Sequence, residues 1–148
     1  SNKINLDLEK SKVLDLFSGS GSFGLECLSR CADKIYFFEN YPNAINILKK
    51  NVSLIDNNNK CKIIDDDCFN YFDSNKKIDV FFDIIFIDPP FKEKRINSLI
   101  EKILKKNYLS KNGIIILHRH KKDNIKLTKK LNVFDFRTYG ISKIYFGS

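Results

Sequence analysis

Short apolar runs alternate with amphipathic stretches along the chain, and this alternation constrains the fold more than any other feature of the sequence. Runs of strand length are followed by stretches in which apolar residues recur at helical spacing, which is the pattern of βα units on a parallel sheet. Strands are predicted at residues 12–17, 34–39, 61–65, 82–88 and 113–117, and helices at residues 21–31, 41–55, 69–73, 94–106 and 121–131. The runs 133–139 and 142–146 are predicted to pair as two strands. With 148 residues, the chain is long enough for one α/β domain and too short for two.

A glycine-rich turn connects the first predicted strand to the first predicted helix. Its glycines are Gly19, Gly21 and Gly24, and glycine permits a tight turn and a close approach of the backbone to a ligand. Asp15 lies in the strand before this turn, where a carboxylate would repel the phosphates of a dinucleotide and attract a cationic ligand such as a sulfonium. A purely structural glycine turn is the simpler alternative.

Acidic residues also end the next two predicted strands. Glu39 ends the second strand, where an acid can accept hydrogen bonds from ribose hydroxyls. Three consecutive acids, residues 65–67, end the third strand, and we expect Asp67 to accept a hydrogen bond from an exocyclic adenine amine. A ligand with a cationic amino acid end, a ribose and an adenine is S-adenosylmethionine. A surface acid and a solvated acidic loop are the alternatives at these two positions.

The segment Asp88, Pro89, Pro90 and Phe91 ends the fourth predicted strand. The prolines fix the backbone and donate no N–H, so this turn presents only hydrogen-bond acceptors in a rigid geometry. Such acceptors suit the amino group of a planar base, because they stabilise the charge that develops when a methyl group arrives. Asp88 can then take the proton, and Phe91 can stack on a base that is flipped out of any duplex. The alternative is a plain turn with Phe91 in the core.

The formal net charge of +8 favours a polyanionic partner such as nucleic acid. Basic residues follow the fourth and fifth predicted strands and should lie at one edge of the sheet. We expect contacts with phosphates from Lys92, Lys94, Arg95, Arg119, Lys121 and Lys122. Solvated side chains in a lysine-rich chain are an equally simple interpretation of each one.

Cysteine usage and hydropathy limit the class of protein further. Cys27, Cys31, Cys61 and Cys68 form no C-x-x-C pair and have no nearby histidine, so we expect reduced thiols in a cytoplasmic protein and no metal site. Cys27 and Cys31 are predicted to cover one face of the first helix. No apolar run reaches the length of a membrane span, so no membrane association is expected.

Two motifs closely resemble the RsmD-type bacterial 16S rRNA guanine-N2 methyltransferases. They are VLDLFSGSGSFGLECLSR at residues 13–30 and FIDPPF at residues 86–91, and RTYG at residues 137–140 is also similar. The resemblance spans the chain from about residue 11 to its end. It implies a Rossmann-like class I methyltransferase fold, with a seven-stranded, mostly parallel sheet, an antiparallel last strand and helices on both faces. It also implies S-adenosylmethionine as the methyl donor and small-subunit rRNA, or a ribosomal assembly intermediate, as the substrate of a monomer.

The resemblance assigns roles to individual residues of this sequence. It implies that the target guanine is held by Asp88, Pro89, Pro90 and Phe91. It implies that the cofactor is held by Asp15, Phe17, Ser18, Gly19, Ser20, Gly21, Glu39, Asn40, Asp67, Cys68 and Asp88.

The chain departs from the family at two places. Members carry a few dozen residues before the first strand, so residues 1–10 are interpreted as part of an N-terminal segment and residues 11–148 as the methyltransferase domain. The absence of Met also predicts that a segment precedes residue 1. The end of the fifth strand often carries an acid in the family, where this chain has His118 and His120.

Three other functions compete with guanine methylation. The acceptor turn would serve an adenine N6 amine in DNA or RNA equally well. A nicotinamide oxidoreductase would also use a glycine turn, although Asp15 and the Asp88 turn argue against it. A non-catalytic RNA-binding module would use the basic residues alone.

Overall fold

A computed structural model describes residues 7–148 and contains a seven-stranded sheet with the strand order β3-β2-β1-β4-β5-β7-β6. β7 runs antiparallel to both of its neighbours, and the remaining neighbouring pairs are parallel. The expected class of fold is therefore confirmed. In chain order the elements are β1 (Lys12–Leu16), α1 (Ser22–Ser29), β2 (Lys34–Phe38), α2 (Pro42–Ile55), β3 (Cys61–Ile64), α3 (Cys68–Asp73), β4 (Phe82–Ile87), α4 (Ile96–Lys105), β5 (Leu109–His120), β6 (Val133–Tyr139) and β7 (Ser142–Gly147).

The central strands are buried on both faces, as their continuous apolar runs predict. In β4, Ile85 and Ile87 belong to the core that α3 and α4 cover, whereas Ile84 belongs to the opposite core with Val13 and Phe37. Burying each of these side chains stabilises the fold by about 1.5–3 kcal/mol relative to exposure. The two cores hold the strands in register, so the loops after them meet at one edge of the sheet.

α4 follows the predicted apolar spacing, whereas α2 exposes Ile47 and Ile55 and α1 ends before Cys31. In α4, Ile96, Leu99, Ile100 and Ile103 are all buried against the sheet. α1 ends at Ser29, and Cys31 lies beyond it as an exposed residue with a left-handed φ of 72°. The prediction that Cys31 covers a helix face is therefore wrong.

The predicted helix at residues 121–131 is absent from the structure, which has turns and irregular backbone there. The backbone of this segment bonds to a side chain of α4, because Asn97 Nδ2 donates to Lys126 O at 2.8 Å and Asn97 Oδ1 accepts from Thr128 N at 2.8 Å. Ile125 and Leu127 pack against the core at a spacing of two, which a helix cannot present to one face.

β5 is longer than the predicted strand at residues 113–117, since it begins at Leu109 and reaches His120. The polar residues at its start are accommodated at a register shift opposite Phe82, where Ser110 Oγ donates to Asp83 Oδ1 at 2.9 Å. The added residues at its other end carry His118 and Arg119 to the edge of the sheet. The predicted pairing of residues 133–139 with 142–146 is confirmed by β6 and β7.

Candidate active site

The loop after β1 turns sharply at the edge of the sheet. Phe17, Gly19 and Gly21 have left-handed φ values of 60°, 55° and 87°. A Cβ atom on Gly21 would lie 2.5 Å from Leu48 Cδ1, so only glycine fits between the loop and α2. Ser18 N donates to Phe38 O at 3.0 Å, which ties the loop to the end of β2. The glycine pattern therefore marks a turn that the packing against α2 requires. This turn brings backbone atoms to the mouth of a cleft.

Asp15 lies beneath this loop and is 1% exposed. Its Oδ2 accepts from Gly24 N at 3.1 Å. Burial raises the pKa of Asp15 well above its usual range, the Gly24 N–H lowers it, and the negative charges of Asp88 and Glu39 raise it further. This placement does not fit the expected direct contact with a cationic ligand, because the carboxyl joins β1 to α1 and does not line the cleft.

Glu39 is held at the cleft by three backbone N–H groups. Its Oε1 accepts from Gly19 N at 2.7 Å, and its Oε2 accepts from Asn40 N at 3.2 Å and Tyr41 N at 3.0 Å. A carboxylate has about four lone-pair sites, so these oxygens retain capacity for a further donor. The arrangement suits a ligand with neighbouring hydroxyl groups.

A cleft of about 600 Å³ lies over the carboxyl ends of β1 to β4. Five carboxylate side chains and one arginine line it, which makes it unfavourable for a phosphate and favourable for a cation. It brings together many of the predicted residues, namely Phe17, Gly19, Glu39, Asn40, Asp67, Cys68, Asp88, Pro89 and Pro90. Ser18, Ser20 and Gly21 are not among the lining residues, since they belong to the loop that shapes it.

Asp67 caps α3 at the floor of the cleft. Its Oδ1 accepts from Phe69 N at 2.8 Å, and its other carboxylate oxygen makes no bond to the described residues. That second oxygen is free to accept the predicted hydrogen bond from an adenine amine, which stays a prediction. Burial raises the pKa of the neighbouring Cys68 to about 12, which keeps that side chain a neutral thiol.

Six further residues line the cleft and were not predicted to do so: Phe38, Tyr41, Asp66, Phe69, Glu93 and Arg95. The Arg95 guanidinium carbon lies 3.7 Å from the centre of the Phe69 ring. Glu93 accepts from Arg95 at Oε1 and Oε2, and this pairing lowers the pKa of Glu93. Arg95 therefore lines the cleft with an exposed side chain, and its expected contact with a phosphate stays a prediction. An aromatic residue directly after the acidic end of β3 was the available signal for Phe69.

The Asp88 turn forms the wall between this cleft and a second, smaller pocket. The second pocket has a volume of about 150 Å³ and lies between the turn and the ends of β5 and β7. Phe91 is 54% exposed at its rim, so the alternative with Phe91 in the core is wrong. His118 Nδ1 lies 2.8 Å from Asp88 Oδ1, and His118 Nε2 lies 2.8 Å from Ser142 Oγ. Asp88 is thus the acid that both cavities share.

Arg119 is a correction to the expected phosphate contacts, because it is 2% exposed. Its guanidinium pairs with Asp123 and donates from Nη1 to Pro90 O at 3.2 Å. A buried arginine needs such partners, since an unpaired buried charge is costly. Arg119 therefore supports the turn from below and is not available to a phosphate.

The other predicted basic residues are exposed: Lys92, Lys94, Lys121 and Lys122. A groove of about 420 Å³ beyond Phe91 is lined by four lysines, including Lys126, which the sequence analysis did not select. Lys92 Nζ lies 5.6 Å from the centre of the Phe91 ring. Glu93 and Asp123 also line the groove, so its lining carries a net positive charge, and Phe91 lines both the groove and the second pocket.

Within residues 7–148, no group of three or more histidine, cysteine or acidic side chains is arranged to hold a metal ion. None of the described helices has the length and apolar character needed to cross a bilayer.

The reversed β7, the glycine loop after β1 and the acid after β2 together define a Rossmann-like class I methyltransferase fold. A structure from Haemophilus influenzae described as a "putative methylase" shares this fold, with a TM-score of 0.80 and 27% identity over 95% of this chain and 87% of that chain. A second structure, described as a "putative methyltransferase complexed with SAH", has a TM-score of 0.77 and 18% identity over 95% of this chain and 46% of that chain.

The family model described as conserved hypothetical protein 95 matches residues 2–148. The chain belongs to this family, which is the RsmD-type family that the sequence motifs resemble. A relative from Buchnera aphidicola named "Ribosomal RNA small subunit methyltransferase D" is 34% identical over 128 residues, which cover 86% of this chain and 63% of the relative. The chain thus spans slightly less than two thirds of that relative.

Proposed function

We propose that this protein transfers a methyl group from S-adenosylmethionine to the exocyclic N2 amine of a guanine in small-subunit rRNA. The observation that carries the proposal is that Asp88 lines both the large acidic cleft and the small pocket beside it. A methyl donor in one cavity and an amino group in the other would meet at this carboxylate.

The residues of the acidic cleft fit the three parts of the cofactor. Glu39 can accept from the ribose hydroxyls, and the free oxygen of Asp67 can accept from the adenine amine. The surplus of acids favours the cationic end of the ligand and disfavours the pyrophosphate of a nicotinamide cofactor. When bound, S-adenosylmethionine supplies an electrophilic methyl group.

The Asp88 turn would activate the target amine. The lone pair of such an amine is delocalised into the base, and acceptors on its hydrogens make it a better nucleophile. Asp88 and the carbonyl groups of the turn provide these acceptors, while Arg119 holds Pro90 O in place. As positive charge develops on the nitrogen, Asp88 stabilises it and takes a proton. Phe91 can stack on the base from the exposed rim.

The lysines beyond Phe91 favour a nucleic acid substrate over a free nucleoside. Lys92, Lys94 and Lys122 line the groove that continues from the small pocket, where they can neutralise phosphates that flank the target base. The name of the Buchnera aphidicola relative supports small-subunit rRNA as the nucleic acid. We propose that a monomer acts in the cytoplasm on this rRNA or on a ribosomal assembly intermediate.

The test is methyl transfer from labelled S-adenosylmethionine to three substrates: naked small-subunit rRNA, small-subunit particles that lack the modification, and DNA. Mass spectrometry of the digested product should show N2-methylguanosine from rRNA. Asp88→Asn is the inactive comparison, and Asp79→Asn, an exposed acid before β4, is its matched control. Methylated adenine would contradict the proposed target, and binding of rRNA without methyl transfer would favour the RNA-binding module.

A further inference from the structure

Asp88, His118 and Ser142 form a row of hydrogen bonds that joins the ends of three strands. His118 Nδ1 lies 2.8 Å from Asp88 Oδ1, and His118 Nε2 lies 2.8 Å from Ser142 Oγ. Asp88 follows β4, His118 belongs to β5 and Ser142 begins β7. The row occupies one wall of the small pocket, so its proton arrangement bears on what Asp88 can offer to a substrate.

The chemistry of the two end groups determines which nitrogen of a neutral His118 carries hydrogen. An ionised Asp88 carboxylate can only accept, so Nδ1 must donate to it. The other nitrogen of a neutral imidazole is then an acceptor, and the Ser142 hydroxyl can donate to it. Each member of the row therefore has a partner of the opposite kind: the Asp88 carboxylate selects the tautomer, and the Ser142 hydroxyl, which can donate or accept, fits it.

We propose that His118 is a positioning residue for Asp88, and that the hydrogen bond from Ser142 orients the His118 ring; this rests on the proposed function. The Nδ1–H occupies Oδ1 of Asp88, which leaves Oδ2 directed to the target amine. Asp88 needs such a partner because its side chain is 45% exposed and gains little restraint from packing. A carboxylate that turns away from the amine by about 1 Å loses on the order of 100-fold in rate.

The neighbouring residue on β5 supports the same turn in a different way. Arg119 points to the other face of the sheet and donates to Pro90 O, so it fixes the backbone of the turn. His118 fixes the Asp88 side chain that this backbone carries. Arg119 and His118 thus restrain different parts of the same turn. Substitutions of His118 should therefore leave the backbone of the turn intact.

Two substitutions of His118 separate hydrogen bonding from packing. In His118→Asn the side-chain nitrogen stands near the position of Nδ1 and can still donate to Asp88. In His118→Gln it stands nearer to Nε2 and Ser142, so the bond to Asp88 is lost. We expect kcat to fall roughly 10- to 100-fold in His118→Gln and to recover most of this loss in His118→Asn. The KM for S-adenosylmethionine should not change in either variant.

A substrate-free measurement tests the hydrogen bonds independently of methyl transfer. Long-range ¹H–¹⁵N NMR spectra of the labelled protein distinguish the two tautomers of a neutral histidine. We expect the Nδ1–H form for His118, with a change of its signals in both Asp88→Ala and Ser142→Ala. The Nε2–H form, or signals that Asp88→Ala leaves unchanged, would overturn the proposal.

The methylation assay and the NMR spectra test the two proposals independently. If the parent protein methylates none of the nucleic acids, the proposed function fails, and the NMR spectra still decide whether His118 holds Asp88. If the parent is active and His118→Gln turns over at the parent rate, the positioning role is overturned. The same holds if His118→Asn is as impaired as His118→Gln, since packing alone would then explain both.

Discussion

Backbone groups hold the acids that follow β2 and β3, whereas a side chain holds the acid that follows β4. In the large cleft, three backbone N–H groups hold Glu39 and one holds Asp67. In the small pocket, the side chain of His118 holds Asp88. Backbone donors are present whichever side chains surround them, so the cleft depends on the loop conformation. The small pocket depends on individual side chains, which makes it the more sensitive of the two to single substitutions.

The largest expected effect is the loss of methyl transfer in Asp88→Asn. The variant retains the shape of Asp88 but loses the carboxylate that takes the proton, so turnover should fall roughly 10²- to 10⁴-fold. Calorimetry should show an affinity for S-adenosylmethionine close to the parent's, because Glu39 and Asp67, the proposed partners of the ribose and the adenine, are unchanged. A matching loss of cofactor affinity would mean that the two cavities are not independent, and Asp79→Asn serves as the control.

A smaller effect is expected at the cleft from Glu39→Gln. The glutamine amide nitrogen must face either Gly19 N–H or the Asn40 and Tyr41 N–H groups, which leaves a donor without an acceptor. We expect the affinity for S-adenosylmethionine to fall roughly 10- to 100-fold, the equivalent of one charged hydrogen bond. The kcat at saturating cofactor should remain near the parent's. Glu26→Gln, an exposed acid on α1, should leave the affinity unchanged.

The dependence of the cleft on backbone conformation can be tested at Gly24. A Cβ atom there would collide with the Phe37 ring and Ile35, so α1 would move away from β2. We expect Gly24→Ala to lower the free energy of unfolding by about 1–3 kcal/mol in urea denaturation. Asn46→Ala, on the exposed face of α2, should stay within about 0.5 kcal/mol of the parent. Equal stabilities of the two variants would contradict the close packing beneath the loop.

The smallest effect concerns the pH dependence of stability through Asp15. Its pKa is raised in the folded protein, chiefly by burial, so the folded state favours the protonated carboxyl. The stability from this group is complete below the unfolded pKa of about 3.9 and is lost as pH rises through the folded pKa. Asp15→Asn removes this loss, so its Tm should gain on the parent's as the pH rises from acidic to neutral. Thermal melts that run parallel across this range would refute the assignment.

The sequence predicts those parts of the molecule that depend on local pattern. The buried run of β4, the glycine turn and the hairpin of β6 and β7 are each encoded within a few neighbouring residues. The segment after β5 was mispredicted, because its backbone partners belong to Asn97 of α4 and are distant in sequence.

The directions of the basic side chains also could not be read from the sequence. Arg119 is buried because Asp123 and Pro90 O surround it, and Arg95 turns to the cleft because Phe69 and Glu93 attract it. Considered in the sequence alone, Arg95 and Arg119 cannot be distinguished from the other cations of a lysine-rich chain. The tertiary structure shows that Arg119 is buried, whereas Arg95 packs on Phe69 and remains exposed, as the lysines do.

The pairing of β5 with β7 restricts how the tip of the last hairpin can vary in length. Ser142 lies opposite His120 in this pairing and also opposite Tyr139 across the hairpin, two residues from the turn at Gly140. Because side chains alternate between the faces of a strand, a single inserted residue that shifted this register would turn the Ser142 hydroxyl away from His118. We therefore expect the protein to tolerate an insertion of two residues at this tip better than an insertion of one. Variants with the hairpin lengthened by one and by two residues would show this difference.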